Sequence, residues 1–410
     1  MLNIIWCGFF LTAFVIAIGQ SLFVGNLGIW EELVNSAFSA SKNAFEITLN
    51  LTGMMCLWLG LLKVAEKSGL TDVLAKFLQP FFKKVMPDVP SNSPALGSIV
   101  MNMAANILGL DNAATPIGIR AMEQLQELNP HKEKASSAQI LFMVINTSSV
   151  TLIPISILMY RQQLGSLEAS MVFLPILLAT SVSTLVGFLS VAVAEKLPVF
   201  NRVVLSYLCA FVAFIAGTAY WFIHLDPTNR LPLASFIGNV SLFAIIAGFI
   251  IAGLIKRLNV YTVFIEGAKE GFKTAVQIIP YMVAMLVGIA VFKTSGALDY
   301  VLKGCEYLVQ WLHGNTDFIP ALPTAFLKPL SGSGARAMMI ETMQQYGVDS
   351  FPAFVSSVIQ GSTETTFYVL AVYFGAVRVT KTGAALPCAL LADLAGICAA
   401  IGLGYIFYAS

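Results

Sequence analysis

"NMAANILGLDNAATPIGIRAME", residues Asn102 to Glu123, decides how the rest of this chain is read. It holds Asn102, Asn106, Asp111 and Asn112, with Gly109 in its middle and Thr115-Pro116 beyond. On both sides the sequence is apolar for long distances. Of the 410 residues, 57% are hydrophobic and 11% are charged, whereas soluble domains carry about 25% charged residues. Lipid must therefore be the solvent for most of the chain. The opening stretch is then a polar, helix-breaking string at membrane depth. Irregular backbone survives there only where protein buries it or where it lines a cavity.

Other classes of function find little support. A formal net charge of +1 offers no attraction for nucleic acid. Cys7, Cys56, Cys209, Cys305, Cys388 and Cys398 lie mostly in apolar runs, form no C-x-x-C pair and read as small hydrophobes. His131, His224 and His313 are far apart, so no metal site is expected. H-E-x-x-H is absent, and "SGSGAR" is not G-x-S-x-G, so the chain is not expected to be an enzyme. The N-terminus is apolar from Asn3 to Trp30 without a basic flank, which favours a retained transmembrane helix over a cleaved signal.

A helix needs roughly 20 apolar residues to span the hydrocarbon. Nine stretches qualify: residues 4–24, 44–65, 137–160, 170–194, 203–223, 236–255, 272–293, 352–376 and 386–408. Residues 92–127 and 318–346 are apolar too, but Pro94, Gly97, Gly109 and Pro116 interrupt the first, and Pro320, Pro323, Pro329, Gly332 and Gly334 the second. Each suits two half-helices that enter the membrane and return on one side. On this plan 16 of the 23 Lys and Arg residues fall on the side of the N-terminus, which the positive-inside rule makes cytoplasmic. Amphipathic residues 67–86 and 297–313 read as helices lying at the two membrane surfaces, with core packing as the plainer alternative.

The chain also repeats itself. "KNAFEITLN" from Lys42 lies against "KEGFKTAVQ" from Lys269. At the same offset of 227, Phe45 falls on Phe272, Ser68-Gly69 on Ser295-Gly296 and Asp72 on Asp299. Farther on, "INTSSVTLIP" from Ile145 matches "IQGSTETTFY" from Ile359 as a polar string inside an apolar span. Five crossings separate the two copies, so the second is expected to be inverted. Inverted repeats with broken helices are a signature of secondary transporters.

The polar strings are the candidate site. Asn102 and Asn106 share a helix face. Gly109, Asp111 and Asn112 allow a turn, after which Asn112 or Thr115 would cap the returning half-helix and Pro116 would suit its first turn. Asn146, Thr147, Ser148 and Ser149 supply hydroxyls and an amide from the next span. In the second hairpin, Ser331-Gly332-Ser333-Gly334 stands between Lys328 and Arg336. It would form either a backbone nest for a carboxylate or phosphate, or simply a turn. Ser362, Thr363 and Glu364 lie within an apolar span. Glu364, with Arg336 or Lys328 as its expected partner, is either a substrate or coupling residue or half of a structural ion pair. Asp393, in the last span, is a second coupling candidate or a helix-packing hydrogen bonder.

"NILGLDNAATPIGIRAMEQLQELNP" from Asn106 resembles the hallmark of the spore maturation protein A family. "KPLSGSGARAMMIETM" from Lys328 and "VIQGSTETTFYVLAVYFGAV" from Val358 resemble that of spore maturation protein B. The chain looks like a fusion of the two: residues 1–200 with the first hairpin, residues 201–259 as linking transmembrane helices, and residues 260–410 with the second. The resemblance implies the nucleoside-recognition Gate domain, distantly similar to concentrative nucleoside transporters, in which hairpin tips and unwound helices bind solute between inverted repeats.

The expectation is thus an all-α polytopic membrane protein of about nine spanning helices and two re-entrant hairpins, arranged as two inverted Gate-type repeats. Its expected place is the bacterial cytoplasmic membrane. Its expected work is secondary transport of a small polar solute, such as a nucleoside, amino acid or short peptide, by alternating access. The competing reading is a non-transporting scaffold or sensor in envelope or spore maturation. No cofactor is expected, and a proton or sodium ion would serve for coupling. The expected partners are the solute and the bilayer, with room for a homo-oligomer.

Overall fold

The computed structural model describes residues 2–108, 111–148 and 150–408, with residues 2, 3 and 111–113 described by backbone only. Gly109 and Ser149 lie outside the described residues, as do the side chains of Asp111 and Asn112. Among the described residues the regular elements are all helices. In order come α1 (Leu2–Gly19), continued by a π-helical turn to Val24, α2 (Ile29–Lys67), α3 (Leu70–Val85), α4 (Pro94–Ile107), α5 (Asp111–Leu128), α6 (Ser137–Thr147), α7 (Ile155–Gln163) and α8 (Phe173–Ala194). Then follow α9 (Arg202–Ile223), α10 (Pro227–Ile255), α11 (Val260–Thr294), α12 (Ala297–Trp311), α13 (Leu322–Leu327), α14 (Gly332–Tyr346), α15 (Phe351–Ser362), α16 (Thr366–Ala376) and α17 (Ala385–Phe407).

Helix starts follow local chemistry. Ser93 caps α4 ahead of Pro94, Ser350 caps α15 ahead of Pro352, and Ser136 and Gln139 form a reciprocal capping box on α6. Among the described residues, seven helices are long and apolar enough to cross a membrane. The other two expected spans, 137–160 and 352–376, are not continuous. The first breaks between α6 and α7, the second between α15 and α16. The cause lies in the hydroxyl strings. Thr147 and Ser148 both donate to the Val144 carbonyl, at 2.8 and 2.9 Å, and Ser362 donates to the Ile359 carbonyl at 2.8 Å. Such side chains compete with the helical ladder at its end. Pro154 and the extended backbone of Thr363 (φ −148°, ψ 173°) complete the two breaks.

The return helix of the first hairpin begins earlier than the sequence implies. α5 already runs from Asp111, so Pro116 sits inside the helix and neither Asn112 nor Thr115 stands at the cap position. At the sixth position the proline lies past the first turn and removes one hydrogen bond of the ladder.

The repeat has a structural counterpart. α2 ends at Lys67 and α11 at Thr294, and α3 and α12 begin at Leu70 and Ala297, each pair 227 residues apart. Between them Gly69 (φ 78°) and Gly296 (φ 81°) take the same left-handed conformation that glycine alone adopts without cost. α2 and α11 cross at very close range. A Cβ on Gly267 would stand 2.3 Å from the Leu59 carbonyl oxygen, and one on Gly271 would stand 2.6 Å from that of Met55. Glycines four apart on one helix permit this contact, as in membrane helix pairs generally.

Besides a small hydrophobic cluster that joins α1, α2 and α11, two large ones hold the molecule. One gathers α3 to α6 and takes in Tyr373 and Phe374 of α16. The other gathers α2, α8, α11 and α13 to α15 and takes in Ile157 to Tyr160 of α7. α16, which follows the second break, thus packs into the cluster built on α3 to α6 of the other half, whereas α7 packs among helices of both halves. The connecting helices α9 and α10 stay peripheral, with Val204, Phe222, Ala234, Ser235, Gly238, Phe249 and Gly253 as their buried residues.

Candidate functional site

The end of α4, the turn between α13 and α14 and both helix breaks meet in one place. The Leu152 N–H, in the first break, donates to the Ile107 carbonyl at the end of α4, at 3.0 Å. The Phe367 N–H, just past the second break, donates to the Pro329 carbonyl in the turn between α13 and α14, at 3.1 Å. The breaks touch each other as well: the Glu364 N–H donates to the Thr147 carbonyl at 2.7 Å. Backbone groups freed by irregularity are therefore satisfied by irregularity in the neighbouring segment, as membrane depth requires.

Around this junction lie two cavities of about 280 and 700 Å³. Asn106, Lys328, Arg336, Gln360 and Glu364 line both. Thr363 adds to the smaller one, which reaches Lys63, Glu66 and Glu270 at one end of the α2–α11 pair. Thr115, Asn146, Ser331, Ser333 and Tyr373 add to the larger.

The asparagines form a closed network. Asn106 donates to Asn146 Oδ1 at 2.8 Å and reaches Asn102 Oδ1 at 3.4 Å. Asn102 donates to the Ala114 carbonyl at 2.7 Å, tying α4 to α5. Asn146 donates to the Phe142 carbonyl at 2.8 Å. Tyr373, from the other half, donates its hydroxyl to Asn146 Oδ1 at 3.2 Å. Asn102 is fully buried and faces this network, not a cavity.

The second hairpin is arranged differently. Ser331 caps α14 by accepting from the Gly334 N–H at 3.0 Å, and its hydroxyl lies 3.3 Å from that of Ser333. Arg336 lies over the Tyr160 ring with its guanidinium carbon 5.8 Å from the centroid, and its Nε is buried without a partner among the described residues. Gln360 Oε1 is likewise buried and unpartnered. Glu364 is exposed to the cavities, and no ion pair joins it to Arg336 among the described residues. The expected pairing with Arg336 is therefore not made, and Glu364 stands exposed at the second break.

Of the remaining expected residues, Thr147, Ser148 and Ser362 are buried and turn their hydroxyls back onto their own helices. The Ser148 carbonyl also accepts from Thr184. Asp393 is buried on α17 and accepts from Thr366 at 2.7 Å, which ties the last helix to the start of α16.

Several residues at the site escaped sequence reasoning. Tyr373 and Tyr160 carry no motif, although a tyrosine hydroxyl in an apolar helix needs a polar partner. Arg161 served only as a flanking charge. Its side chain is fully buried, paired with Asp349 at 2.7 Å and bonded to Ser357 at 3.1 Å. Asp349 also accepts from the Leu167 N–H at 3.0 Å, and its backbone carbonyl accepts from Tyr408 at 2.6 Å. This clamp joins the end of α7 to the second half.

The sequence matches the Gate family, described as nucleoside recognition, over residues 48–165 and 275–379. Those two segments contain both hairpins and both breaks. The chain is 38% identical over 183 residues to spore maturation protein A of Bacillus subtilis (strain 168), a match covering 45% of this chain and 90% of that protein. It is 47% identical over 159 residues to spore maturation protein B of the same organism, covering 38% of this chain and 86% of that protein. No solved structure matches it.

Proposed function

The chain belongs to the Gate family of nucleoside-recognition proteins, and from that premise we propose that it is a secondary transporter of a small polar solute: a nucleoside, amino acid or short peptide. The observation that carries this reading is the meeting of the end of α4, the α13–α14 turn and two helix breaks around polar cavities. A scaffold gains nothing from unsatisfied polar atoms at membrane depth, whereas a carrier needs them. The two matched segments act as inverted repeats, with α4–α5 and α13–α14 as re-entrant hairpins. One repeat rocks against the other about the α2–α11 crossing. The N-terminus lies in the cytoplasm of a bacterial cell, on the side richer in Lys and Arg. The smaller cavity then opens inward past Lys63, Glu66 and Glu270, while the Arg161–Asp349 clamp closes the outer side.

Access from both faces is the test. In protein with its native cysteines replaced, Ser333→Cys is labelled in proteoliposomes by an impermeant maleimide applied to either face in turn. A carrier is labelled from both. Labelling from one face only would favour the scaffold or sensor reading. In flux assays, Glu364→Gln is expected to abolish uptake while leaving the melting temperature unchanged, because its carboxylate faces open space.

A further inference from the structure

Each cavity charge can be sorted by whether it already has a partner. Lys63 bridges Glu66 at 3.1 Å and Glu270 at 3.4 Å, so the charges at the mouth of the smaller cavity are compensated by one another. Lys328 lines both cavities and is engaged in contacts of its own. Arg336 and Glu364 remain. Both line both cavities, and neither meets an opposite charge among the described residues. One cation and one acid without an opposite charge among the described residues therefore face the same space.

We propose that the transported solute is a zwitterion of the amino-acid or short-peptide class, its carboxylate held by Arg336 and its ammonium group by Glu364. The proposal rests on the carrier reading above and narrows it. Arg336 suits a carboxylate because its planar fork offers two parallel N–H donors. The fork is braced against Tyr160, and Ser331, Gly332 and Ser333 bring the N-terminus of α14 to the larger cavity beside it. Gln360 is 6% exposed, lines both cavities, and its Oε1 lacks a partner. It can accept an N–H from an ammonium group or a peptide bond. A simple anion would satisfy Arg336 and be repelled by Glu364. A neutral nucleoside would leave both charges uncompensated in a site flanked by lipid. A zwitterion compensates both and brings no net charge into the membrane.

The test is thermal stabilisation of the purified full chain by four pools: free amino acids with dipeptides, the same compounds N-acetylated, the same compounds amidated at the carboxyl end, and nucleosides. The first pool alone is expected to raise the melting temperature. Blocking either end should weaken apparent affinity by roughly 30-fold or more. Glu364→Gln should no longer distinguish free from N-acetylated dipeptides, and Arg336→Gln should no longer distinguish free from amidated ones. If Arg336→Gln fails to fold, Arg336→Lys should keep discrimination against the amides with weaker binding. Stabilisation by nucleosides alone would overturn the zwitterion and leave the carrier intact. Equal stabilisation by blocked and free compounds, or by none of the pools, would also overturn it. One-sided labelling of Ser333→Cys would remove the carrier reading itself.

Discussion

In the first hairpin-and-break unit, Asn102, Asn106 and Asn146 bond to one another and to backbone carbonyls, and Arg161, although its Nε is buried without a partner among the described residues, is locked to Asp349 through Nη2. In the second, Arg336 Nε and Gln360 Oε1 are buried without partners, and Glu364 stands open. The backbone plan is shared, but the chemistry diverges. A polar group that has found its partner holds the protein together; one still waiting for a partner leaves room for a ligand. The first unit is therefore built to stay, the second to bind.

The sharpest way to break this comparison is Asp349→Ala, which strands the buried Arg161 guanidinium. It should cost about 3–5 kcal/mol, read as a large fall in melting temperature in detergent. A cost near zero would mean that the first unit is not anchored there. Next comes Asn146→Ala, which removes the acceptor shared by Asn106 and Tyr373. It should cost about 1–3 kcal/mol, again by thermal melting. Smallest is Gln360→Leu. With no hydrogen bond to lose, it should leave stability within about 0.5 kcal/mol of the parent while lowering solute affinity. A loss as large as that of Asn146→Ala would erase the distinction between the units.

Much of this was legible in the chain. The offset of 227 found the twin Ser-Gly turns, because left-handed backbone and glycine are tied by sterics. The polar strings were found because lipid makes them costly. What stayed hidden was where each polar atom turns. Thr147, Ser148 and Ser362 look like solute contacts in the sequence, but in the fold they bond to their own helices and cause the breaks. Glu364 and Arg336 look like partners by charge, and the pairing is not made. Tyr373 belongs to the first unit's network although it lies in the second half, because α16 crosses over. Such exchanges depend on tertiary packing, which hydropathy alone cannot carry.

The peripheral α9 and α10 have a consequence for assembly. They bury little of their own surface, yet they make the meeting of the two halves an intramolecular event. The effective concentration of one half around the other is then set by the tether's geometry and not by expression level. Stoichiometry is fixed at one to one, and dilution into detergent or excess lipid cannot separate α2 from α11. Halves supplied as independent chains would have to find each other across the membrane, and their pairing would weaken as lipid was added.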